Sequence, residues 1–290
     1  MKKVLCLLSI ALLLFSCNEV DDFGRVLPES VSLGEVVSVS DLSYEELNEL
    51  VTDENLREDM RMSGGLLIRP FSDAFSGSFD FMEIHFSDVS SNLPSPSLGD
   101  KPMSDTELTG SIPYYENAGL LDYVYLNWDT YEQLFLPGTT LYFELVLGIY
   151  NGGGWPGFVD DCTDFGTTTK YCYSDVKSYT YPDAPVISTF KTWGGDGLYA
   201  DFYMEVEGDI SSQVTRRGIC YSTTNSLPDV DDQVESASAE YEESFYTSVY
   251  APVPAGTYYV RAFVQGTGGD IAYSPVCQVT CDGSVDESAR

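Results

Sequence analysis

Apolar and polar positions alternate with period two over most of this chain, the signature of half-buried strands. The clearest stretch follows a turn punctuated by Pro254 and Gly256. Tyr258, Val260, Ala262 and Val264 fall on one face, and Tyr259, Arg261 and Phe263 on the other. The pattern returns after Pro137 and Gly138, where Leu141, Phe143, Leu145 and Leu147 alternate in the same way. Strands are predicted over 31–39, 64–71, 79–87, 123–128 and 139–147 in the first half. In the second half they are predicted over 185–191, 198–207, 216–222, 244–250, 257–265 and 271–280. One segment changes period. Ser43 followed by Glu46 forms a capping box, and Leu47, Leu50 and Leu56 give a helical stripe, so one helix is predicted over 43–61 as an insertion between strands.

The halves repeat. Ile84-His85-Phe86-Ser87 before Leu93-Pro94 parallels Ile219-Cys220-Tyr221-Ser222 before Leu227-Pro228. Gly152-Gly153 parallels Gly268-Gly269, and Tyr173-Ser174-Asp175-Val176 with Thr180 parallels Tyr273-Ser274-Pro275-Val276 with Thr280. Several blocks in one order make chance a poor explanation. The proline-rich stretch 181–185 divides the halves, giving expected units at 29–182 and 183–282 and a tail at 283–290. Short strands and turns at this spacing fit antiparallel sandwiches.

Residues 217–224 (Arg-Gly-Ile-Cys-Tyr-Ser-Thr-Thr), 256–262 and Ala272-Tyr273 carry a family likeness. They resemble the fibronectin type III-like domain of Bacteroidetes surface lipoproteins over most of 185–281. The resemblance implies a mainly β chain of two tandem antiparallel immunoglobulin/fibronectin III-like β-sandwiches, with one short helical insertion in the first. It implies a binding or display scaffold and supplies no catalytic residue. Tyr258 stands where such sandwiches carry a corner tyrosine bonded to upstream backbone. The first unit departs from the pattern, with Leu141 at the corner and Lys177 at a position apolar in the second.

The N-terminus predicts location. Lys2 and Lys3 precede an apolar run from Val4 to Leu14, about 11 residues, against the ~20 that span a bilayer. Leu14-Phe15-Ser16-Cys17 resembles a bacterial lipobox, although Phe15 occupies a place usually held by a small residue. The resemblance implies a signal peptide at 1–16 and acylated Cys17 as the mature N-terminus, with outer-membrane lipid as its partner. Residues 17–28 form an acidic tether. Its Asn18-Glu19-Val20-Asp21-Asp22 resembles a surface-export signal, so the expected location is a lipid anchor in the outer membrane facing the exterior. A solvated acidic spacer is the other reading of the same residues.

With 46 acidic against 14 basic residues the chain carries a formal charge of −32, which argues against nucleic acid and anionic membrane surfaces as partners. Beyond Cys6 and Cys17, the cysteines are Cys162, Cys172, Cys220, Cys277 and Cys281. In a sandwich, Cys220 and Cys277 would sit two strand spacings apart, ~9.6 Å, beyond disulfide reach of ~7 Å. They and Cys281 are expected as free thiols. Cys162 and Cys172 lie in an irregular insertion, 151–172, that can bend to join them, and a bridge there would contribute about 3 kcal/mol.

That insertion also holds Trp155 and Phe158 among glycines, followed by Asp160 and Asp161. An exposed indole can stack on a sugar ring while carboxylates accept its hydroxyls, making this loop the candidate ligand-binding site. The bland reading has both aromatics packed on the sandwich end. Asp160, Asp161 and Asp164, and likewise Asp229, Asp231 and Asp232, lack the glycine and glutamate of a calcium loop, so neither a metal nor a cofactor is expected. Catalytic residues are expected to be absent: His85 is the sole histidine, and neither nucleophile-elbow nor Walker sequences occur. The chain reads as a non-enzymatic surface module for a glycan or a surface protein. A structural subunit of an outer-membrane complex is the alternative, ahead of an enzyme such as a glycosidase.

Overall fold

The computed structural model describes residues 31–72, 81–91, 93, 109–113, 123–127, 136–151, 168–206, 208–237 and 244–283. Cys17 and the rest of the N-terminal segment lie outside that set, as does the tail beyond 283.

The first unit sets β1 (Val36–Ser38), β2 (Gly65–Ile68) and β5 (Val124–Asn127) in one sheet, in the order β1-β2-β5. The facing sheet holds β3 (Phe81–Ser87), β4 (Thr109–Pro113), β6 (Thr140–Asn151), β7 (Thr168–Tyr173) and β8 (Lys177–Thr180), in the order β4-β3-β6 with β7 and β8 both on the far edge of β6. The second unit repeats this arrangement. It has β9 (Val186–Gly194), β10 (Leu198–Glu205) and β13 (Tyr246–Ala251) on one side. On the other are β11 (Val214–Ser222), β12 (Gln233–Ser236), β14 (Gly256–Gly266), β15 (Ile271–Tyr273) and β16 (Cys277–Cys281). All named strand pairs are antiparallel. A three-stranded sheet on a longer one with this crossover is a fibronectin III-like sandwich, present twice.

Equivalent side chains do equivalent work in the two units. The hydroxyls of Thr140 and Thr180 meet at 2.8 Å, and those of Thr257 and Thr280 at 3.1 Å, across matching strand pairs. The last strand, expected unbroken over 271–280, is split in both units at a serine. The Ser174 hydroxyl accepts the Leu145 N–H and the Ser274 hydroxyl accepts the Ala262 N–H, each at 2.9 Å. Each serine supplies at the break the acceptor that a continuous ladder would have supplied, so the split costs no buried donor. Tyr258 donates to the Pro254 carbonyl at 3.0 Å, completing the corner that Leu141 cannot make.

Period-two burial follows the predicted faces. Ile84, Phe86, Leu141, Phe143, Leu145 and Leu147 enter the first core. Ile219, Tyr258, Val260, Ala262 and Val264 enter the second, with Phe190 and Phe202 from the opposite sheet.

The helical insertion departs from expectation. Two helices, α1 (Tyr44–Leu50) and α2 (Glu54–Ser63), replace the single one expected over 43–61. The Ser43–Glu46 capping box forms at α1, but Asp53 accepts the Leu56 N–H at 2.9 Å and starts a second helix. Arg61 ties the pair together, donating to Glu58 and Asn48 and lying 4.3 Å over the Tyr44 ring. Their apolar side covers the outer face of β1-β2-β5, where Leu47, Val51 and Met60 bury Leu67 and Tyr123. Strand β2 is therefore buried on both faces, which explains why Leu66, Leu67 and Ile68 run without alternation.

The same insertion joins the two sandwiches. The Tyr44 N–H donates to the Ser226 carbonyl at 3.2 Å, the Tyr44 ring packs on Tyr259 at 5.8 Å, and the Tyr259 hydroxyl donates to Glu45. Asp41, in a short 3-10 turn before α1, accepts from the Tyr179 hydroxyl at 3.2 Å. Burial raises its carboxyl above the ordinary range, against the lowering effects of Tyr179 and the Arg261 charge. A raised native pKa means the folded state holds a proton that the unfolded chain releases, so this contribution is full at low pH and is lost as pH rises through the raised value. Because the Asp41 side chain is exposed and solvent screens most of this effect, Asp41→Asn is expected to stabilise the protein only slightly at pH 7, with the gain shrinking toward about pH 3, as urea midpoints across that range would record.

Candidate functional site

Strands β6 and β7 remain paired to Asn151↔Thr168, so the predicted insertion leaves and returns at one hairpin end of the first sandwich. Trp155, Phe158, Asp160, Asp161 and Cys162 lie outside the described residues, as do Asp164 and Trp128. Cys172 is described and is a free, buried thiol; Cys162, the other half of the expected bridge, lies outside the described residues. Register pairs Cys172 with Leu147 on the core face of β7, and burial raises its pKa.

Cys220, Cys277 and Cys281 are free as well. Strand β14 separates Cys220, opposite Arg261, from Cys277, opposite Val260. Cys220 lies outside the second core. It is covered by its own loop, donates to the Pro228 carbonyl at 3.4 Å, and has its pKa pushed up to about 12 by burial. Burial raises Cys277 to about 12 and Cys281 less far. Thiols so placed are poor nucleophiles at neutral pH.

His85 is fully buried on the outward side of β3, with Nε2 2.9 Å from Glu83 Oε2. Glu144 stands opposite it on β6, its carboxyl raised by burial and partly restored by His85. No group of histidine, cysteine or acidic side chains among the described residues is disposed to hold a metal ion. Asp229 and Asp232 instead cap their own loop, accepting from the Asp231 and Asp229 N–H at 2.8 and 3.1 Å. Between the sandwiches, a cavity of about 70 Å³ beside Asp41, Tyr179 and Tyr273 falls well short of the ~300–1,000 Å³ of a small-molecule site.

The surface feature that stands out lies on the second sandwich, on the outer face of β9-β10-β13. Leu198, Ala200, Phe202 and Met204 point from β10 into the core, so Tyr199, Asp201 and Tyr203 point away. Register places these across from their neighbours in rows: Trp193, Tyr199 and Tyr250; then Lys191, Asp201 and Ser248; then Thr189, Tyr203 and Tyr246. Trp193 stacks on Tyr199 with planes 6° apart and centroids at 5.8 Å, and Tyr199 meets Tyr250 at 4.8 Å. Trp193, Tyr246 and Tyr250 remain 46%, 48% and 43% exposed. The Tyr199 hydroxyl donates to Asp196, which pushes its pKa up to about 12. Ser248 donates to Asp201 at 2.7 Å, and a hydrogen bond to Asp201 likewise raises Tyr246.

Neither Trp193 nor these tyrosines is among the site residues expected from the sequence. The signal was present: exposed-face positions of two successive strands and their neighbour carry aromatics where a solvated face carries charges.

No protein-family model and no curated protein matches the chain. Among solved structures it is similar to the FN1-FN3 domains of chicken CNTN1, at 10% identity and a TM-score of 0.24, covering 74% of this chain and 62% of that one. It is similar to the chicken interferon gamma receptor alpha chain at 9% identity, 0.26, and 74% and 91% coverage. A third match is the purple acid phosphatase PPD1 of yellow lupin, at 12% identity, 0.27, and 75% and 37% coverage. The chain thus spans under two thirds of the CNTN1 fragment and of the phosphatase. The fibronectin III-like assignment follows from strand order and register.

Proposed function

We propose that this chain is a non-enzymatic binding module, held at the outer-membrane surface by acyl chains on Cys17. The observation that carries the reading is the uncovered aromatic face of β9-β10-β13, on a body whose histidine is buried and whose described thiols are buried or half-buried. Large exposed aromatic patches mark interaction surfaces, because water contact with them is unfavourable unless a ligand relieves it. The basic, apolar and Cys17-bearing start of the sequence supports the anchor. A helix pair wedged between the sandwiches would hold the face at a set angle to the first sandwich, which suits display.

Two measurements test the reading together. The chain expressed in a bacterial host is expected in the outer-membrane fraction, open to protease added to intact cells, and Cys17→Ser is expected to move it to the soluble fraction. The purified chain is expected to retain a surface polysaccharide or protein and to return it chemically unchanged. Cleavage of the retained material, retention of no partner, or membrane association independent of Cys17 would overturn the proposal.

A further inference from the structure

We propose that the outer face of β9-β10-β13 is a stacking site for an uncharged polysaccharide, with Trp193 and Tyr250 contacting its sugar rings. The inference rests on the binding-module reading and names the ligand class of its face.

The equivalent face of the first sandwich, on β1-β2-β5, is occupied by its own helices and offers them Val37, Leu67 and Tyr125. Two of those three are aliphatic, the chemistry a helix stripe packs against. The face on the second sandwich replaces such residues with indole and phenol rings and stays open. Aromatic rings tipped by polar groups suit a partner that is apolar on one side and hydroxylated at its rim. A pyranose is built in that way: its axial C–H groups form an apolar patch and its equatorial hydroxyls a polar edge.

Tyr199 lies between Trp193 and Tyr250 and stacks against the indole, which holds the outer rings in place before any ligand arrives. Rings fixed in advance lose little side-chain entropy on binding. Two residues along the strands, roughly 7 Å away, the row of Lys191, Asp201 and Ser248 supplies donors and acceptors for hydroxyls. A further two residues along, Tyr203 and Tyr246 provide a second aromatic row, backed by Phe245 at 6.1 Å from Tyr203. Aromatic, polar and aromatic rows in succession match a linear sugar chain lying along the strands.

The chain carries −32, and Asp196 and Asp201 sit within the face itself, with Lys191 as a single cation in the row. Uronate or sulfate-bearing chains would be repelled, which leaves neutral ones.

The test uses the full chain in affinity electrophoresis and titration calorimetry. The probes are a β-glucan, a xylan, a galactomannan and an α-mannan, with alginate as the anionic control. At least one neutral probe is expected to bind, with little dependence on salt, while alginate does not. Trp193→Ala is expected to weaken that binding about tenfold, Tyr250→Ala several-fold, and Trp193→Phe to keep most of it. Tyr171→Ala and Tyr173→Ala, exposed tyrosines of the first sandwich, are expected to change nothing. Unaltered melting of each variant would show that the fold is intact. Undiminished binding by a Trp193→Ala/Tyr250→Ala double variant would overturn this site yet leave the binding-module reading standing. Failure of every neutral probe, or preference for alginate, would overturn the ligand class. Cleavage of a bound probe would instead overturn the module reading itself.

Discussion

Arg261→Met is expected to lower stability by about 3 kcal/mol and to resolve one calorimetric unfolding transition into two. Arg261 is 5% exposed on the outward side of β14. Its Nε–H donates to the Pro228 carbonyl, Nη1 donates to the Ser40 carbonyl at 3.1 Å, and the guanidinium lies 3.8 Å over the Tyr273 ring. One side chain of the second sandwich thus satisfies its own loop and the segment leading into α1. Methionine preserves the stem volume but removes both donors, and each buried acceptor left unmade costs about 1–3 kcal/mol. Part of that loss falls at the contact between the units, so their unfolding should no longer coincide. A single transition with a change under about 0.5 kcal/mol would show that Arg261 does not couple the sandwiches.

Leu67→Ala is expected to cost about 2–5 kcal/mol, the range for truncating a fully buried leucine, and to release the helices. Leu67 faces α1 and α2, whereas its neighbours Leu66 and Ile68 face the sandwich core. Leu66→Ala should cost a similar amount but leave the helices docked. Amide hydrogen exchange separates the two: protection of 44–63 should fall in Leu67→Ala and hold in Leu66→Ala. Equal loss in both variants would mean that the helices share one cooperative unit with the sandwich.

Both variants bear on what the sequence conveys. Most strand positions, the repeat and the capping box were legible, because period-two alternation and capping act over a few residues, whereas β4, β7, β8 and β12 had no predicted counterpart. Asp53 as a second cap was equally local, yet the stripe of Leu47, Leu50 and Leu56 reads across the break. The double burial of Leu66 to Ile68 has only a weak local signature, since an unalternating apolar run fits several settings. Glu83, His85 and Ser87 alternate with Met82, Ile84 and Phe86 as a solvated face would, and all three are buried nonetheless.

The candidate site shows the same division. Exposure of Trp193 depends on whether any other segment reaches that face, and no local pattern records this. Trp155 lies in an insertion rich in glycine and aromatics, a signal contained in one short stretch. The face of Trp193, Tyr199 and Tyr250 assembles residues more than fifty positions apart, and only strand pairing brings them into one row.

By itself, then, the sequence determined the tandem β-sandwich plan, the corner at Tyr258 and the strong acidity, since each depends on short-range spacing or on composition. Tertiary structure alone decided that one sheet face is roofed by helices and its counterpart left bare. Which faces are covered depends on where distant segments of the chain come to rest, and the energy of that choice is spread over contacts no short stretch contains.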